Sequence, residues 1–79
     1  MKAEGIVAGV ADILFLYPAH GFHALCIEFK TSKGHQSDAQ IEWQKAVESV
    51  GYKYVVIRNF DQFYLLIRFW LGEDKKSAF

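Results

Sequence analysis

Three charged side chains interrupt two stretches of the sequence that otherwise have the composition of buried strands. Asp12 lies within residues 10–17, and Glu28 and Lys30 lie within residues 24–30. A charged group in such a stretch is costly unless it is paired or binds an ion. Two adjacent carboxylates favour a divalent cation between them, and a set of oxygen ligands suits Mg²⁺ or Mn²⁺. A lysine beside such an ion can orient a water molecule or stabilise charge on a phosphate, so these residue types point to phosphodiester hydrolysis.

A less specific interpretation of the same three residues stays open. Glu-x-Lys pairs are common on exposed faces of strands, and a single aspartate can mark the edge of a sheet. The elements that carry the three side chains decide whether they meet.

The two stretches predict an antiparallel hairpin. Residues 10–17 are apolar, with β-branched and aromatic side chains, and end at Pro18, and a short connection leads to residues 24–30. If the strands pair about a turn centred near residue 20, positions 12 and 28 face each other. Glu28 and Lys30 are two residues apart, so they lie on the same side of the sheet.

A helix and a third strand follow the hairpin. Ser37 and Gln40 have the spacing of a capping box, so a helix is expected to begin there and to end at Gly51. One stripe of this helix carries Gln40, Trp43, Val47 and Val50. Residues 52–57 predict a third strand, parallel to the second because a helix connects the two through a right-handed crossover.

A last helix is predicted over about residues 60–71, where Asn59 and Gln62 repeat the capping-box spacing. Its side chains are apolar nearly all round. One stripe consists of Phe60, Phe63, Tyr64, Ile67 and Trp70, and Leu65, Leu66 and Phe69 widen it. A single sheet cannot cover so broad a face, so part of the helix is expected to form the interface of a homodimer or higher homo-oligomer.

The composition predicts one small domain. Its 79 residues allow a single domain over 1–79, with a core at about residues 5–71 and a tail at 72–79. Cys26 is the lone cysteine, which excludes an internal disulfide and favours a buried thiol in the cytoplasm. The 9 basic and 9 acidic side chains balance, which argues against a simple DNA-binding module and fits a site whose positive charge is a metal ion. No apolar stretch is long enough to span a membrane.

The order and spacing of the motifs resemble a known nuclease family. The matching positions are residues 9–16, Gly21, residues 27–31, Lys33, Gly34, Ser37, Gln40, Trp43, Gly51 and Tyr52. Over roughly residues 5–65 the chain is similar to the virus-type replication-repair nuclease (VRR-NUC) domain of the PD-(D/E)XK superfamily. The resemblance implies an α/β, restriction-endonuclease-like core, in which a small mixed sheet, made of an antiparallel hairpin and a βαβ crossover, packs with two helices.

The resemblance also implies a site and an activity. Asp12, Glu28 and the backbone carbonyl of Phe29 would bind Mg²⁺ or Mn²⁺, with Lys30 beside the attacking water and Gln40 near the site. Stand-alone members of the family in phages and bacteria act as homodimers on branched DNA, including four-way (Holliday) junctions. In eukaryotes the domain belongs to a larger DNA-repair nuclease. The resemblance therefore implies a metal-dependent endodeoxyribonuclease that cleaves branched or flapped DNA in the cytoplasm of a bacterial or phage-infected cell.

The sequence departs from the family pattern in two places. The family usually has proline before the motif aspartate, and this chain has Ala11, which alters local rigidity without removing a ligand. Fuller members begin with a helix that carries another acidic residue and with a further strand. That helix is expected to be missing here, because the sequence starts just before the Asp12 strand. The alternative function is a non-catalytic DNA-structure-binding or assembly module with a nuclease-like fold, and a third is a purely structural oligomer.

Three further residues are candidates for binding DNA. Lys33 and His35 follow Lys30 in a loop that either contacts a phosphate backbone or is a solvated turn. Arg58, at the end of the third strand, is also expected to bind phosphate. Gln40 has two interpretations, as a contact of DNA or of Lys30 and as the capping-box partner of Ser37.

Aromatic and histidine side chains have simpler expected roles. Trp43 could stack on a base, but packing against the sheet is favoured because Trp43 shares a helical stripe with Val47. His20 and His23 are expected to be turn residues and not ligands of a transition metal, because no cysteine or further histidine accompanies them.

Overall fold

The fold alternates strands and helices, and a computed structural model describes it over residues 9–73. The elements in chain order are β1 (Ile13–Phe15), β2 (Leu25–Phe29), α1 (Asp38–Ser49), β3 (Lys53–Ile57) and α2 (Phe60–Trp70). The predicted beginning of the core at residues 5–8 and most of the predicted tail, residues 74–79, lie outside the described range.

The three strands form one mixed sheet in the order β1-β2-β3. β1 pairs antiparallel with β2, with Ile13 opposite Ile27, and β2 pairs parallel with β3, with Cys26 opposite Tyr54. The predicted hairpin and the predicted crossover are both confirmed. Because the facing residues of the hairpin sum to 40, the same register places position 12 opposite position 28.

β1 is shorter than the predicted strand at residues 10–17. Leu25 is the last β2 residue that pairs with β1, and its partner is Phe15. Two residues earlier, the His23 N–H donates to the Gly51 carbonyl at 2.9 Å instead. Residues beyond Phe15 therefore have no strand to pair with, and they lead into the turn.

A two-residue turn closes the hairpin at the predicted position. Ala19 and Phe22 exchange backbone hydrogen bonds of 3.1 and 2.8 Å, and the residues between them, His20 and Gly21, have φ values of 53° and 85°. Two positive φ values in succession match the right-handed twist of paired strands. The His20 ring also stacks on Phe69, with centroids 4.3 Å apart. Its expected place in a turn is confirmed.

Alternate residues of the sheet pack against different helices. One core cluster, on the α2 side, contains Leu25, Ile27, Val55, Ile57, Leu66 and Trp70. The other, on the α1 side, contains Ala11, Cys26 and Tyr54, with Trp43 and Val47 packed against it. The sheet therefore lies between the two helices. Glu28 belongs to the face of Cys26 because side chains alternate along a strand.

Both helices begin where predicted, but their buried stripes differ from the expected ones. In α1, Trp43 and Val47 pack inward, whereas Val50 is the C-cap residue with φ −111° and is exposed, since it no longer continues the helix. In α2, Leu66 and Trp70 are buried, and the exposed fraction of Phe60 is 73%. The centre of the inward face is thus Leu66, a residue expected only to widen it.

The second predicted capping box forms only in part. The Asn59 side chain accepts the Gln62 N–H at 2.9 Å, as expected, but the Gln62 side chain accepts the N–H of Arg58 and not that of Asn59.

No helix within residues 9–73 is both long and apolar enough to cross a lipid bilayer.

Candidate functional site

The Glu28 carboxylate is the centre of the candidate site. Glu28 is 3% exposed, and it is the one charged residue in the buried core of the described chain. Its Oε2 accepts a hydrogen bond of 2.8 Å from the Gln40 Nε2 and lies 3.6 Å from the Lys30 Nζ. Its Oε1 is also buried, and it has no hydrogen-bond partner within residues 9–73.

Asp12 lies beside Glu28 at the edge of the sheet. It directly precedes β1, and so it stands just outside the strand in which the sequence placed it. Its Oδ2 accepts a hydrogen bond of 2.9 Å from the backbone N–H of Phe29. Since Phe29 follows Glu28 in β2, the Asp12 carboxylate reaches the peptide next to the buried carboxylate. The structure thus brings together the two predicted acidic residues and the strand end that carries the predicted carbonyl ligand.

Lys30 completes the predicted triplet at the end of β2. Its backbone N–H donates to the Ile57 carbonyl at 3.0 Å, which extends the pairing of β2 and β3 by one residue. Its side chain is 18% exposed, and its ammonium group faces the Glu28 carboxylate. The expectation that Glu28 and Lys30 share one side of the sheet is confirmed. The ammonium group is 3.6 Å from the carboxylate, and the Lys30 side chain is the more exposed of the two.

Gln40 is the capping-box partner of Ser37, as one interpretation predicted, and its amide also contacts Glu28; contact with DNA stays a prediction. Its Oε1 accepts the Ser37 N–H at 2.9 Å, and the Ser37 Oγ accepts the Gln40 N–H at 3.2 Å, which together form the capping box of α1. The Nε2 of the same amide donates to Glu28. One side chain therefore fixes the start of α1 and the orientation of the buried carboxylate.

The donor set fits a hard divalent cation. A buried carboxylate oxygen without a donor is costly, and an ion bound to the Glu28 Oε1 would remove that cost. The available ligands are carboxylate and carbonyl oxygens, which suit Mg²⁺ or Mn²⁺. Among residues 9–73 no group of three or more His, Cys, Asp or Glu side chains is placed to hold a metal ion. A site here would depend on two carboxylates and a backbone oxygen.

Tyr54 lies on the same face of the sheet as Glu28, and the sequence interpretation did not single it out. It is 5% exposed, stands opposite Cys26 in the parallel pair, and its Oη is 3.3 Å from the Gln36 Nε2. Burial raises the pKa of the Tyr54 phenol, the Gln36 hydrogen bond opposes that change, and the charges of Glu28 and Asp12 add to it. The signal that could have identified Tyr54 is the period of two in β3, which places it on the Glu28 face.

The predicted DNA-binding residues do not all have the same surroundings. Lys33 and His35 are exposed on the loop between β2 and α1. Arg58 is also exposed, but its Nη1 donates to the carbonyls of Thr31 and Gly34 in that same loop. Phosphate binding by these three residues stays a prediction.

The aromatic and histidine residues have structural surroundings. Trp43 packs edge-on against Tyr54 with ring centroids 6.1 Å apart, so packing on the sheet is confirmed. His23 packs against Tyr52. A Cβ at position 51 would lie 2.8 Å from the His23 ring, which explains why the residue after the C-cap of α1 is a glycine. Cys26 is buried as expected, and burial raises the pKa of its thiol, with a smaller contribution from the Glu48 charge.

A solved structure described as a VRR_NUC domain protein is similar to this chain over most of its length. The superposition has a TM-score of 0.80 and 25% sequence identity, and it covers 89% of this chain. The chain spans 59% of the length of that neighbour. No family model matches the sequence, and no curated protein matches it. The fold is therefore VRR-NUC-like, as the motif resemblance predicted, and the chain is a nuclease-like domain.

Proposed function

We propose that this VRR-NUC-like chain is an Mg²⁺- or Mn²⁺-dependent endodeoxyribonuclease that hydrolyses phosphodiester bonds in branched DNA. The observation that supports this proposal is the buried Glu28 carboxylate beside Asp12. One of its oxygens is held by Gln40 and Lys30, and the other has no donor within the described residues. An ion bound to that second oxygen would satisfy it, which is why the arrangement supports a metal site.

Each residue of the site has a defined task in this proposal. Asp12, Glu28 and the Phe29 carbonyl would hold the divalent ion. When bound, the ion polarises a phosphoryl oxygen and lowers the pKa of a water molecule. The Lys30 ammonium group can orient that water and stabilise negative charge that develops on the phosphate. Gln40 keeps the Glu28 carboxylate in one orientation through its hydrogen bond.

The preference for branched DNA rests on the family resemblance and on the loop next to the site. Lys33 and His35 are exposed within five residues of Lys30, so they can contact the backbone of a bound strand. The formal net charge of +0 limits non-specific attraction to DNA, so we propose that recognition depends on the shape of the substrate.

We further propose that the active form is a homodimer, because the outer side of α2 exposes large apolar side chains. Phe60, Tyr64 and Leu65 are 73%, 51% and 42% exposed. Two copies joined through such a surface would place two sites on one branched substrate. The chain spans 59% of the neighbour's length, so nothing that the rest of the neighbour does is assigned to this chain.

A second candidate function is a non-catalytic module that binds branched DNA. The observation in its favour is that the site holds two carboxylates within residues 9–73, with no third acidic or histidine side chain beside them. Such a module would bind DNA equally well with and without divalent ions.

The test compares cleavage of a labelled four-way junction and of a linear duplex of matching sequence in Mg²⁺, Mn²⁺ and EDTA. We expect metal-dependent cuts in the junction that disappear in Asp12→Asn, while junction binding is kept. The matched control is Asp61→Asn, which neutralises an exposed aspartate in the first turn of α2, a residue with no assigned part in the site. Equal cleavage by both variants would contradict the site, and binding without any cleavage would favour the non-catalytic module.

A further inference from the structure

The loop after Lys30 is folded around the side chain of Arg58. The Gly34 N–H donates to the Thr31 carbonyl at 3.1 Å, which closes a turn over residues 31–34. The Arg58 Nη1 donates to the same Thr31 carbonyl at 2.6 Å and to the Gly34 carbonyl at 2.9 Å. Both carbonyls that end the turn are thus bonded to one guanidinium nitrogen. A terminal guanidinium nitrogen carries two hydrogens. Both hydrogens of the Arg58 Nη1 are therefore bonded to the loop.

Arg58 is itself held in place by its neighbours. Its backbone N–H donates to the Gln62 Oε1 at 2.6 Å, which ties it to the first turn of α2. The residue before it, Ile57, accepts the backbone N–H of Lys30 at 3.0 Å. The guanidinium group therefore connects the turn to the junction of β3 and α2, and the same junction bonds to the backbone of Lys30.

Lys33 lies within this turn, and His35 directly follows it. Both side chains are exposed, and Lys33 is one of the two central residues of the turn that Arg58 closes. A long side chain on an ordered turn loses less conformational freedom on binding a phosphate than one on a mobile loop. The order of the turn thus bears directly on how tightly Lys33 can bind DNA.

We propose that Arg58 is a positioning residue, which contributes to DNA binding by holding the turn that contains Lys33 and precedes His35, and not by contacting phosphate itself. This inference rests on the proposed function, because it assumes that the loop contacts DNA. It assigns to Arg58 a role different from the direct phosphate contact expected from its position at the end of β3. The two roles predict different behaviour when Arg58 and Lys33 are changed together.

The experiment is a double-mutant cycle with Lys33→Ala, Arg58→Met and the double variant. The dissociation constant for a labelled four-way junction is measured in EDTA over a range of salt concentrations. If Arg58 acts through the turn, Arg58→Met weakens binding at least as much as Lys33→Ala, and the double variant is no weaker than Arg58→Met. Loss of one phosphate contact lowers the slope of log K against log salt by about 0.9. We expect the slope to fall by that amount in each single variant, with no further fall in the double variant.

Additive losses, with a salt slope lowered by about two contacts in the double variant, would overturn the inference and leave the nuclease proposal intact. The amide spectrum of Arg58→Met without DNA gives a second readout. Amide shifts should change at residues 31–35 and stay the same in β2 and α1, and an unchanged loop would overturn the inference as well. If the unmodified protein does not bind the junction, the DNA-binding premise fails and the inference fails with it, a result that the unmodified protein alone identifies.

Discussion

At the scale of single residues, the Gln40 amide joins helix capping to the candidate chemistry. Its oxygen accepts the Ser37 N–H, and its nitrogen donates to the Glu28 carboxylate. A buried carboxylate that loses such a donor keeps its desolvation cost and gains freedom to rotate. Gln40 therefore orients Glu28 without being required to touch the substrate.

Replacing Gln40 with alanine should slow cleavage more than it weakens DNA binding. Residues that orient a metal ligand typically contribute a factor of about 10–100 in metal affinity or activity. We expect a loss of that order in the Mg²⁺-dependent cleavage rate, with partial recovery at high Mg²⁺ concentration. Gln44→Ala is the matched control, since Gln44 lies one turn further along α1 and bonds to Gln36 and Glu48. Equal rates for the two variants would contradict a role for Gln40 in the site.

Burial of the Cys26 thiol and of the Tyr54 phenol makes the stability of the fold depend on pH. Their ordinary pKa values are 9.0 and 10.0, and burial raises both in the folded protein. Above the ordinary pKa the unfolded chain has released a proton that the folded chain still holds, so the free energy of unfolding falls as pH rises. Below the ordinary pKa both groups are protonated in the folded and the unfolded chain, so they contribute nothing to the dependence of stability on pH.

Urea unfolding measured between about pH 8 and pH 10.5 should show this loss of stability. Tyr54→Phe removes one of the two titrating groups, so we expect a shallower decline with pH in this variant. The comparison uses the slope and not the absolute stability, because Tyr54→Phe also removes the hydrogen bond with Gln36. A slope identical to that of the unmodified protein would contradict the assignment to Tyr54.

At the scale of elements, α2 shows how a helix with apolar residues nearly all round selects its buried side. The side chains that meet the sheet are Leu66 and Trp70, which are 1% and 2% exposed. The Trp70 Nε1 donates to the Tyr17 carbonyl, and the Phe69 carbonyl lies 2.9 Å from the His20 Nε2. These contacts with the hairpin turn fix the rotation of α2, because a rotation of the helix would break them.

Alanine substitutions at adjacent positions of α2 should therefore have very different effects. Leu66→Ala leaves a cavity in the main core, which typically costs about 2–5 kcal/mol. Leu65 is 42% exposed, so Leu65→Ala should cost far less. The urea concentration at the midpoint of unfolding, compared between the two variants, measures the difference. Similar midpoints would mean that the helix is rotated from the orientation described.

At the scale of the whole molecule, a large apolar surface extends from β1 to the outer side of α2. An open groove of about 450 Å³ lies there, lined mainly by Ile13, Phe15, Phe60, Phe63, Tyr64 and Ile67. Apolar surfaces of this kind on a small domain mark interaction sites. A core this small also provides little stability by itself, so association would stabilise the fold.

We predict that Phe60→Glu lowers the association state without unfolding the chain. Phe60 is 73% exposed, so a charge there costs little in the monomer but opposes burial in an interface. Sedimentation at micromolar concentration should show a homodimer for the unmodified protein and a monomer for the variant, with equal helix content. Asp61→Asn serves as the control on the same helix turn. A monomeric unmodified protein would contradict the dimer.

The sequence by itself determined the elements and the pairing of the site residues. Periods of two and 3.6 residues, a capping box at Ser37 and a short hairpin connection are local signals, so they specified both helices and the register that sets Asp12 against Glu28. The same signals could not define the length of β1, because that depends on where β2 turns towards Gly51. They could not orient α2 either, because its side chains are apolar on nearly every face.

Only the tertiary structure decided how polar side chains are shared between elements. Gln40 and Arg58 each have a local interpretation, as a capping residue and as a phosphate contact. Their bonds to Glu28 and to the Thr31–Gly34 turn join residues 12 to 27 positions apart. A hydrogen bond over that separation depends on how the chain packs, and short sequence patterns carry no information about it.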